Sequence, residues 1–130
     1  MNIVIDTSAL LAVIVAEPER DRIVELTAGH TLIGPGSIPW EIGNAFSAML
    51  KQQRLGLLEI QEGLKIFETI PLRLVKIDMQ KALSIAGEAK TYAYDAYFID
   101  CALRLGAPLL SLDGGLKRAA LKFGVQIMEV

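Results

Sequence analysis

The sequence has 130 residues, a formal net charge of −2 and 52% hydrophobic residues. This length predicts one domain over residues 1–130, with enough apolar residues for one hydrophobic core. The charge argues against binding nucleic acid through a broad basic surface, but it is compatible with an acidic site that holds metal ions. No apolar run reaches the roughly 18 residues that a membrane span needs, so we expect no membrane association.

The single histidine and the single cysteine exclude several kinds of site. With only His30, a histidine-based triad or a histidine-rich metal site is nearly excluded, and we expect acid–base chemistry from carboxylates, metal-bound water or lysine. Cys101 alone gives no internal disulfide and no zinc cluster. A free cysteine in an apolar stretch, together with first residues unlike a signal peptide, predicts a cytoplasmic protein.

Short apolar segments alternate with helical patterns along the chain. The first segment, residues 3–5, is a strand candidate, and Thr7 or Ser8 can cap the helix that follows it. Strands are predicted over residues 3–5, 31–33, 74–77, 109–112 and 125–128, and helices over 9–15, 18–28, 39–54, 58–69, 79–91, 94–105 and 116–123. This alternation predicts an α/β fold with a parallel sheet covered on both faces, in which ligands bind beyond the carboxyl ends of the strands.

Four carboxylates stand at predicted strand ends or helix starts. Asp6 and Asp113 follow apolar strands, whereas Glu41 and Asp95 fall in the first turns of helices. Each has a purely structural explanation: a helix cap for Asp6, an Asp-Gly turn for Asp113, and a favourable helix dipole for the other two. Asp78 also follows a predicted strand, so the pattern alone is not unique.

Taken together, four acids at one edge of a sheet favour a metal site. Mg²⁺ prefers oxygen ligands and keeps several waters, and it relieves the repulsion between clustered carboxylates. Two such ions about 3.5–4 Å apart can activate water and stabilise the leaving oxygen of a phosphodiester. This chemistry needs no histidine.

Asp100 is a fifth acid that we leave out of this set. It lies five residues after Asp95, a rotation of about 140° on a helix, so the two cannot share a face. Arg104 follows four residues later, which predicts a surface ion pair worth a few tenths of a kcal/mol.

The chain resembles the PIN domain family over nearly its whole length, and in particular the VapC-type toxin ribonucleases of prokaryotic toxin–antitoxin pairs. The matching segments, in order, are IVIDTSALLA, IPWEIGNAF, YDAYFIDCALRLGAPLLSLD and SLDGGLKRAALKFGV. The resemblance implies a flavodoxin-like three-layer α/β/α sandwich and Mg²⁺- or Mn²⁺-dependent cleavage of single-stranded RNA. It also implies a homodimer silenced by a cognate antitoxin protein.

By matching position, the resemblance assigns metal binding and catalysis to Asp6, Glu41, Asp95 and Asp113, with Ser8 and Ser111 as hydrogen-bonding supports. The family often has threonine where Ser111 stands, and a small apolar residue where Asp100 stands. RNA phosphates could be contacted by Lys51, Arg54, Lys117 and Arg118, although these residues could equally form solvated helix faces. The helix that carries Ile66 and Phe67 is a candidate dimer surface.

Other readings of the sequence remain open. A haloacid-dehalogenase-like phosphatase needs an aspartate two residues after Asp6, where this chain has Ser8. A receiver domain needs a phosphoacceptor aspartate on a middle strand and a late catalytic lysine, but Asp78 is a poor phosphoacceptor candidate and no lysine directly precedes Pro108. Within the PIN family, a housekeeping RNA-processing nuclease and a non-catalytic RNA-binding or partner-binding domain are the alternatives. The four retained acids favour an enzyme.

Overall fold

The computed structural model describes residues 1–130, which form four strands and seven helices. The strands are β1 (Asn2–Ile5), β2 (Thr31–Pro35), β3 (Leu72–Val75) and β4 (Leu109–Leu110). The helices are α1 (Thr7–Ile14), α2 (Arg20–Thr27), α3 (Ile38–Lys51), α4 (Leu57–Thr69), α5 (Met79–Ala89), α6 (Ala93–Leu105) and α7 (Gly114–Lys122). No helix is both long and apolar enough to cross a membrane.

The strands form one parallel sheet in the order β3-β2-β1-β4. Ile3, Val4 and Ile5 of β1 are almost fully buried, as expected for a β-branched strand between two helical layers. Helix α1 packs with α2, α3 and α4, while α6 packs against α5 and against β1, β2 and β4. The predicted three-layer α/β/α sandwich with a central parallel sheet is therefore confirmed.

All five strand predictions differ from the structure in extent, the first two only slightly, since β1 begins at Asn2 and β2 ends at Pro35. β3 begins two residues earlier than predicted because Leu72–Val75 pairs residue by residue with Leu32–Pro35. β4 stops at Leu110, since the chain turns there towards α7. The predicted strand at 125–128 was wrong as a strand: only Ile127 forms an isolated parallel bridge, with Leu109.

The end of α3 also differs from the prediction. The helix stops at Lys51, three residues before the predicted end at Arg54. Gln53 adopts a positive φ of 57°, a left-handed conformation that cannot continue a right-handed helix.

Strand order decides which strand-end side chains meet. β1 and β4 are neighbours, so the residues after Ile5 and Leu110 emerge side by side. β3 lies at the outer edge, two strands from β1. With about 4.8 Å between neighbouring strands, this separation places Asp78 well away from Asp6. The ambiguity among the strand-end aspartates is thus resolved by topology.

Candidate functional site

Asp6 is the most enclosed of the four predicted acids, with 4% of its surface exposed. It is the N-cap of α1, because its Oδ1 accepts a hydrogen bond of 3.0 Å from the backbone N–H of Ala9. The structural explanation considered for Asp6 is therefore correct, whereas the capping role predicted for Thr7 or Ser8 is wrong. A cap needs only one carboxylate oxygen, so Oδ2 and the burial of the group remain to be explained.

Two serine hydroxyls hold the Asp6 carboxylate in one orientation. Ser8 Oγ donates to Oδ1 at 2.7 Å and to Oδ2 at 2.9 Å, and Ser111 Oγ donates to Oδ2 at 2.7 Å. The same hydroxyls accept hydrogen bonds from the backbone: Ser8 Oγ from the N–H of Leu112 at 3.0 Å, and Ser111 Oγ from the N–H of Asp113 at 2.9 Å. The ends of β1 and β4 are thereby joined through Asp6.

Glu41 lies in the first turn of α3 and is half-buried. Ser37 Oγ donates to its Oε2 at 2.7 Å, and Thr7 Oγ1 donates to its Oε1 at 3.2 Å. Thr7 is the residue after Asp6, so this contact ties the start of α1 to the start of α3. Both oxygens of Glu41 are fixed at the same edge of the sheet as Asp6.

Asp113 and Asp95 are the more open members of the set. Asp113 is exposed and caps α7, its Oδ1 accepting from the N–H groups of Gly115 at 2.9 Å and Leu116 at 3.2 Å. Asp95 is half-buried in the first turn of α6. No basic residue pairs with either of them, or with Asp6 or Glu41, since the ion pairs of the chain lie elsewhere.

The pKa values show that these carboxylates influence one another. Burial raises the pKa of Asp6, partly offset by its hydrogen bonds, and the charge of Asp113 raises it further. Burial likewise raises the pKa of Glu41, with added repulsion from Asp6 and Asp95. Burial and then the charges of Asp113 and Asp6 raise the pKa of Asp95. The site therefore carries repulsion between carboxylates that no cation of the chain relieves.

The donor chemistry of this site suits a hard divalent cation, because it consists of carboxylate and hydroxyl oxygens. The acids nevertheless do not form a closed cage: no three of them converge tightly enough to make a ready metal-binding group. Mg²⁺ commonly binds through one or two carboxylates and retains several waters, so an open arrangement is compatible with it.

The family model described as "PIN domain" matches residues 3–122. The chain belongs to the PIN domain family. No curated protein matches the sequence.

Solved structures with the same fold include several at low sequence identity. PAE2754 from Pyrobaculum aerophilum has a TM-score of 0.67 at 21% identity, with 92% of this PIN domain and 84% of that chain covered. VapBC2 from Rickettsia felis, solved bound to a DNA fragment from its promoter, has a TM-score of 0.67 at 18% identity, with 98% of each chain covered. Mycobacterium tuberculosis VapC20, a sarcin-ricin loop cleaving toxin, gives 0.63 at 12% identity, with 90% of this chain and 94% of that one covered.

The basic residues predicted to contact phosphates differ in position. Lys51 is the exposed last residue of α3, about 15 Å along the helix from Glu41, and Arg54 lies beyond it. Lys117 and Arg118 lie on α7 of the PIN domain, next to Asp113. The Arg118 guanidinium folds back over Gly114, where its Nη1 is 3.1 Å from the position that a Cβ would take. The α7 pair is therefore much nearer the acids than the α3 pair.

Asp100 forms the predicted pair with Arg104, but the pair is not a surface one. Arg104 Nε donates to Asp100 Oδ2 at 2.9 Å, and the Asp100 side chain is only 2% exposed. Arg104 Nη2 also donates to the Lys76 carbonyl at 2.7 Å, which ties α6 to the chain after β3. The prediction missed this burial because α5 packs against α6, and Lys81, Ser84 and Ile85 of α5 line the same pocket as Asp100.

Two supports of Glu41 were not predicted as site residues. Ser37 and Thr7 both donate to its carboxylate, although Thr7 had been predicted only as a possible helix cap and Ser37 had been given no role. A signal was available for Ser37, which stands four residues before Glu41, a spacing that brings side chains together on a helix. The contact of Thr7 spans 34 residues and could be found only in the folded chain.

Proposed function

We propose that this PIN domain is a metal-dependent endoribonuclease that hydrolyses phosphodiester bonds of RNA, and that it is the toxin of a type II toxin–antitoxin pair. The observation that carries the proposal is a set of four carboxylates without basic partners: Asp6 and Asp113 follow β1 and β4, and Glu41 and Asp95 lie in the first turns of α3 and α6. Membership of the PIN domain family supports nuclease chemistry. The likeness to VapC20, named as a toxin that cleaves the sarcin-ricin loop, supports RNA as substrate.

Asp6, Glu41, Asp95 and Asp113 are the proposed ligands of Mg²⁺ or Mn²⁺. When bound, the metal would neutralise charge on the scissile phosphate and lower the pKa of the attacking water. Ser8 and Ser111 keep the Asp6 carboxylate oriented by donating to both of its oxygens. Hydrogen bonds of this kind fix the geometry of ligand groups before the substrate arrives.

Arg118 and Lys117 are the proposed contacts to phosphates beside the cleavage site. Arg118 is exposed and takes no part in an ion pair, so its guanidinium is free to bind a phosphate oxygen. Lys51 and Arg54, at the far end of α3, would reach only more distant phosphates. Such contacts position the RNA without reading its sequence.

The toxin assignment adds two partners. The likeness to the VapBC2 complex supports an antitoxin protein as the first partner. A toxin that acts on cellular RNA would work in the cytoplasm. A homodimer is also proposed, since α4 exposes Leu57, Leu58 and Ile66 while Phe67 is half-buried. Light scattering of the purified protein measures its mass directly, and a monomer at all concentrations would remove the dimer from the proposal.

The test of the activity is RNA cleavage by the purified, partner-free protein with Mg²⁺ or Mn²⁺, and with EDTA. Asp6→Asn should abolish cleavage. Asp78→Asn is the matched control, because Asp78 also follows a strand and caps a helix, by accepting from Lys81 N at 3.2 Å, but at the opposite side of the sheet. Undiminished cleavage in EDTA would overturn the metal requirement, and equal loss in both variants would overturn the site.

Sequencing of the cleaved ends would identify the RNA target. Induced expression separates a toxin from a housekeeping nuclease: a toxin should arrest growth, and a protein encoded directly upstream should relieve the arrest. Normal growth on induction of an active nuclease would favour the housekeeping role.

A further inference from the structure

Two exposed aromatic side chains lie beside the acids, whereas the phenylalanines belong to the core or its margin. The chain has one tryptophan, three tyrosines and four phenylalanines. All four phenylalanines are buried or half-buried: Phe46, Phe67, Phe98 and Phe123. Trp40 is 76% exposed and Tyr94 is 54% exposed, and each stands immediately before a proposed metal ligand, Glu41 or Asp95.

Trp40 and Tyr94 belong to a single cleft. It has a volume of about 240 Å³ and is lined by Thr7, Trp40, Glu41, Asn44, Ala45 and Tyr94. Thr7 and Glu41 are joined by a hydrogen bond, so the floor of the cleft is continuous with the acid site. One turn further along α3, the exposed Asn44 side chain offers both a donor and an acceptor.

The ring of Tyr94 is held in place from behind. Tyr97 packs against it edge to face, with ring centroids 5.7 Å apart and an interplanar angle of 89°. The hydroxyl of Tyr97 in turn contacts the sulfur of Met79, 3.8 Å away on α5. A ring oriented by a neighbour loses less conformational freedom when a ligand stacks on it.

We infer that this cleft is a nucleobase subsite, in which Trp40 and Tyr94 stack on an unpaired base next to the scissile phosphate and Asn44 bonds to its edge. The inference rests on the proposed ribonuclease function and names a recognition element for it. A planar, uncharged surface suits this site, because the net charge of −2 and the acid cluster leave little long-range attraction for a polyanion. Stacking on aromatic rings supplies affinity without charge and requires a base outside a duplex.

Trp40 is the only tryptophan, so the tryptophan fluorescence of the protein reports on this cleft alone. Titration of the protein in EDTA with a single-stranded RNA decamer should quench its fluorescence, because the base stacks on the indole. An abasic decamer with the same number of phosphates should cause little quenching. Equal quenching by both oligomers would overturn the stacking role.

Variants test the affinity. Trp40→Ala and Tyr94→Ala should each weaken binding of the labelled decamer by about 10-fold or more, the usual effect of removing one stacking ring. Trp40→Phe and Tyr94→Phe, which keep a ring, should recover most of that loss. The matched control is Tyr92→Ala, because Tyr92 is 88% exposed but does not line the cleft. Unchanged binding by Trp40→Ala and Tyr94→Ala would overturn the subsite.

Cleavage measured separately distinguishes failure of this inference from failure of the proposed function. In Mg²⁺ the Trp40→Ala variant should have a raised KM and a nearly unchanged kcat for the decamer. If wild type cleaves RNA while quenching does not depend on bases, the nuclease stands and the subsite is wrong. If wild type shows base-dependent quenching without cleavage, the subsite stands as a binding site. Fluorescence that changes with protein concentration but not with RNA would show that Trp40 belongs to a protein interface, which also overturns the inference.

Discussion

Replacement of Asp6 by asparagine separates the structural part of this residue from its proposed metal-binding part. Asparagine keeps the shape of the side chain, and its oxygen can still cap α1 by accepting from Ala9 N. The amide nitrogen then takes the place of Oδ2, to which Ser111 Oγ donates at 2.7 Å. The substitution removes the bond from Ser111 and one buried charge, while Ser8 Oγ loses its contact with Oδ2 at 2.9 Å but can still donate to the remaining oxygen.

These two changes have opposite effects on the free energy of unfolding. Loss of the bond from Ser111 costs about 0.5–1.5 kcal/mol, or up to about 3 kcal/mol when the acceptor is charged. Removal of a carboxylate whose pKa is raised by burial and by Asp113 returns about 1.4 kcal/mol for each unit of that shift. We therefore expect metal-free Asp6→Asn to be as stable as wild type or more so. A melting temperature up to about 4 °C lower would still agree with this balance.

Asp6→Ala provides the contrast. It removes the helix cap, which costs about 1 kcal/mol, and leaves two serine hydroxyls without their acceptor, at about 1–3 kcal/mol. Both variants remove the buried charge, so these losses separate them, and Asp6→Ala should melt about 4–15 °C below Asp6→Asn in EDTA. The expected order of metal-free stability is therefore wild type and Asp6→Asn together, with Asp6→Ala well below.

The assay is a set of melting curves at neutral pH with EDTA and with excess Mn²⁺. Metal at about 100 times its Kd should stabilise wild type by about 2.7 kcal/mol, and Asp6→Asn much less. Asp6→Asn should also lack RNA cleavage. An Asp6→Asn protein that melts as low as Asp6→Ala in EDTA would show that Asp6 is chiefly a structural hub. Equal Mn²⁺ stabilisation of both proteins would refute its role as a ligand.

Three further predictions concern other groups. His30→Ala should leave RNA cleavage within a few-fold of wild type, because His30 lies before β2, away from the acids; loss of activity would contradict a histidine-free mechanism. Asp95→Asn should abolish RNA cleavage, whereas Asp100→Ala should retain it. Urea unfolding should show that Asp100→Ala loses about 1–3 kcal/mol of stability, because the ion pair of the buried Asp100 with Arg104 is broken. The reverse ranking of the two activities would contradict the orientation of α6. Burial and neighbouring charges raise the pKa values of Glu41, Asp95 and Asp6, so the folded state binds protons more tightly than the unfolded chain. The stability that these groups contribute without metal should be fully present below their ordinary pKa values, 4.5 for Glu41 and 3.8 for the two aspartates, and should fall as pH rises through the raised values. Melting curves in EDTA measure this change, and a melting temperature that rises with pH over the same range would contradict the prediction.

Local signals in the sequence were sufficient for most of the elements. The positions of all seven helices and of β1, β2 and β4 follow from apolar periodicity and from glycine and proline positions, which act within a few residues. The shift of β3 and the loss of the predicted last strand arose where pairing with a neighbouring strand, rather than composition, sets the limits. The apolar pattern of one strand does not specify which residues of a distant strand it pairs with.

By itself, the sequence determined the α/β class and the acids that stand at strand ends or helix starts. Only the tertiary structure decided which of them meet. Asp6 and Ser111 are 105 residues apart and touch because β4 lies next to β1, while Asp78 is excluded because β3 is at the edge. The burial of Asp100 and the joint cleft of Trp40 and Tyr94 have the same origin. Strand order and helix packing are set by long-range burial of apolar surface, whereas caps and periodicity act within one or two turns of the chain.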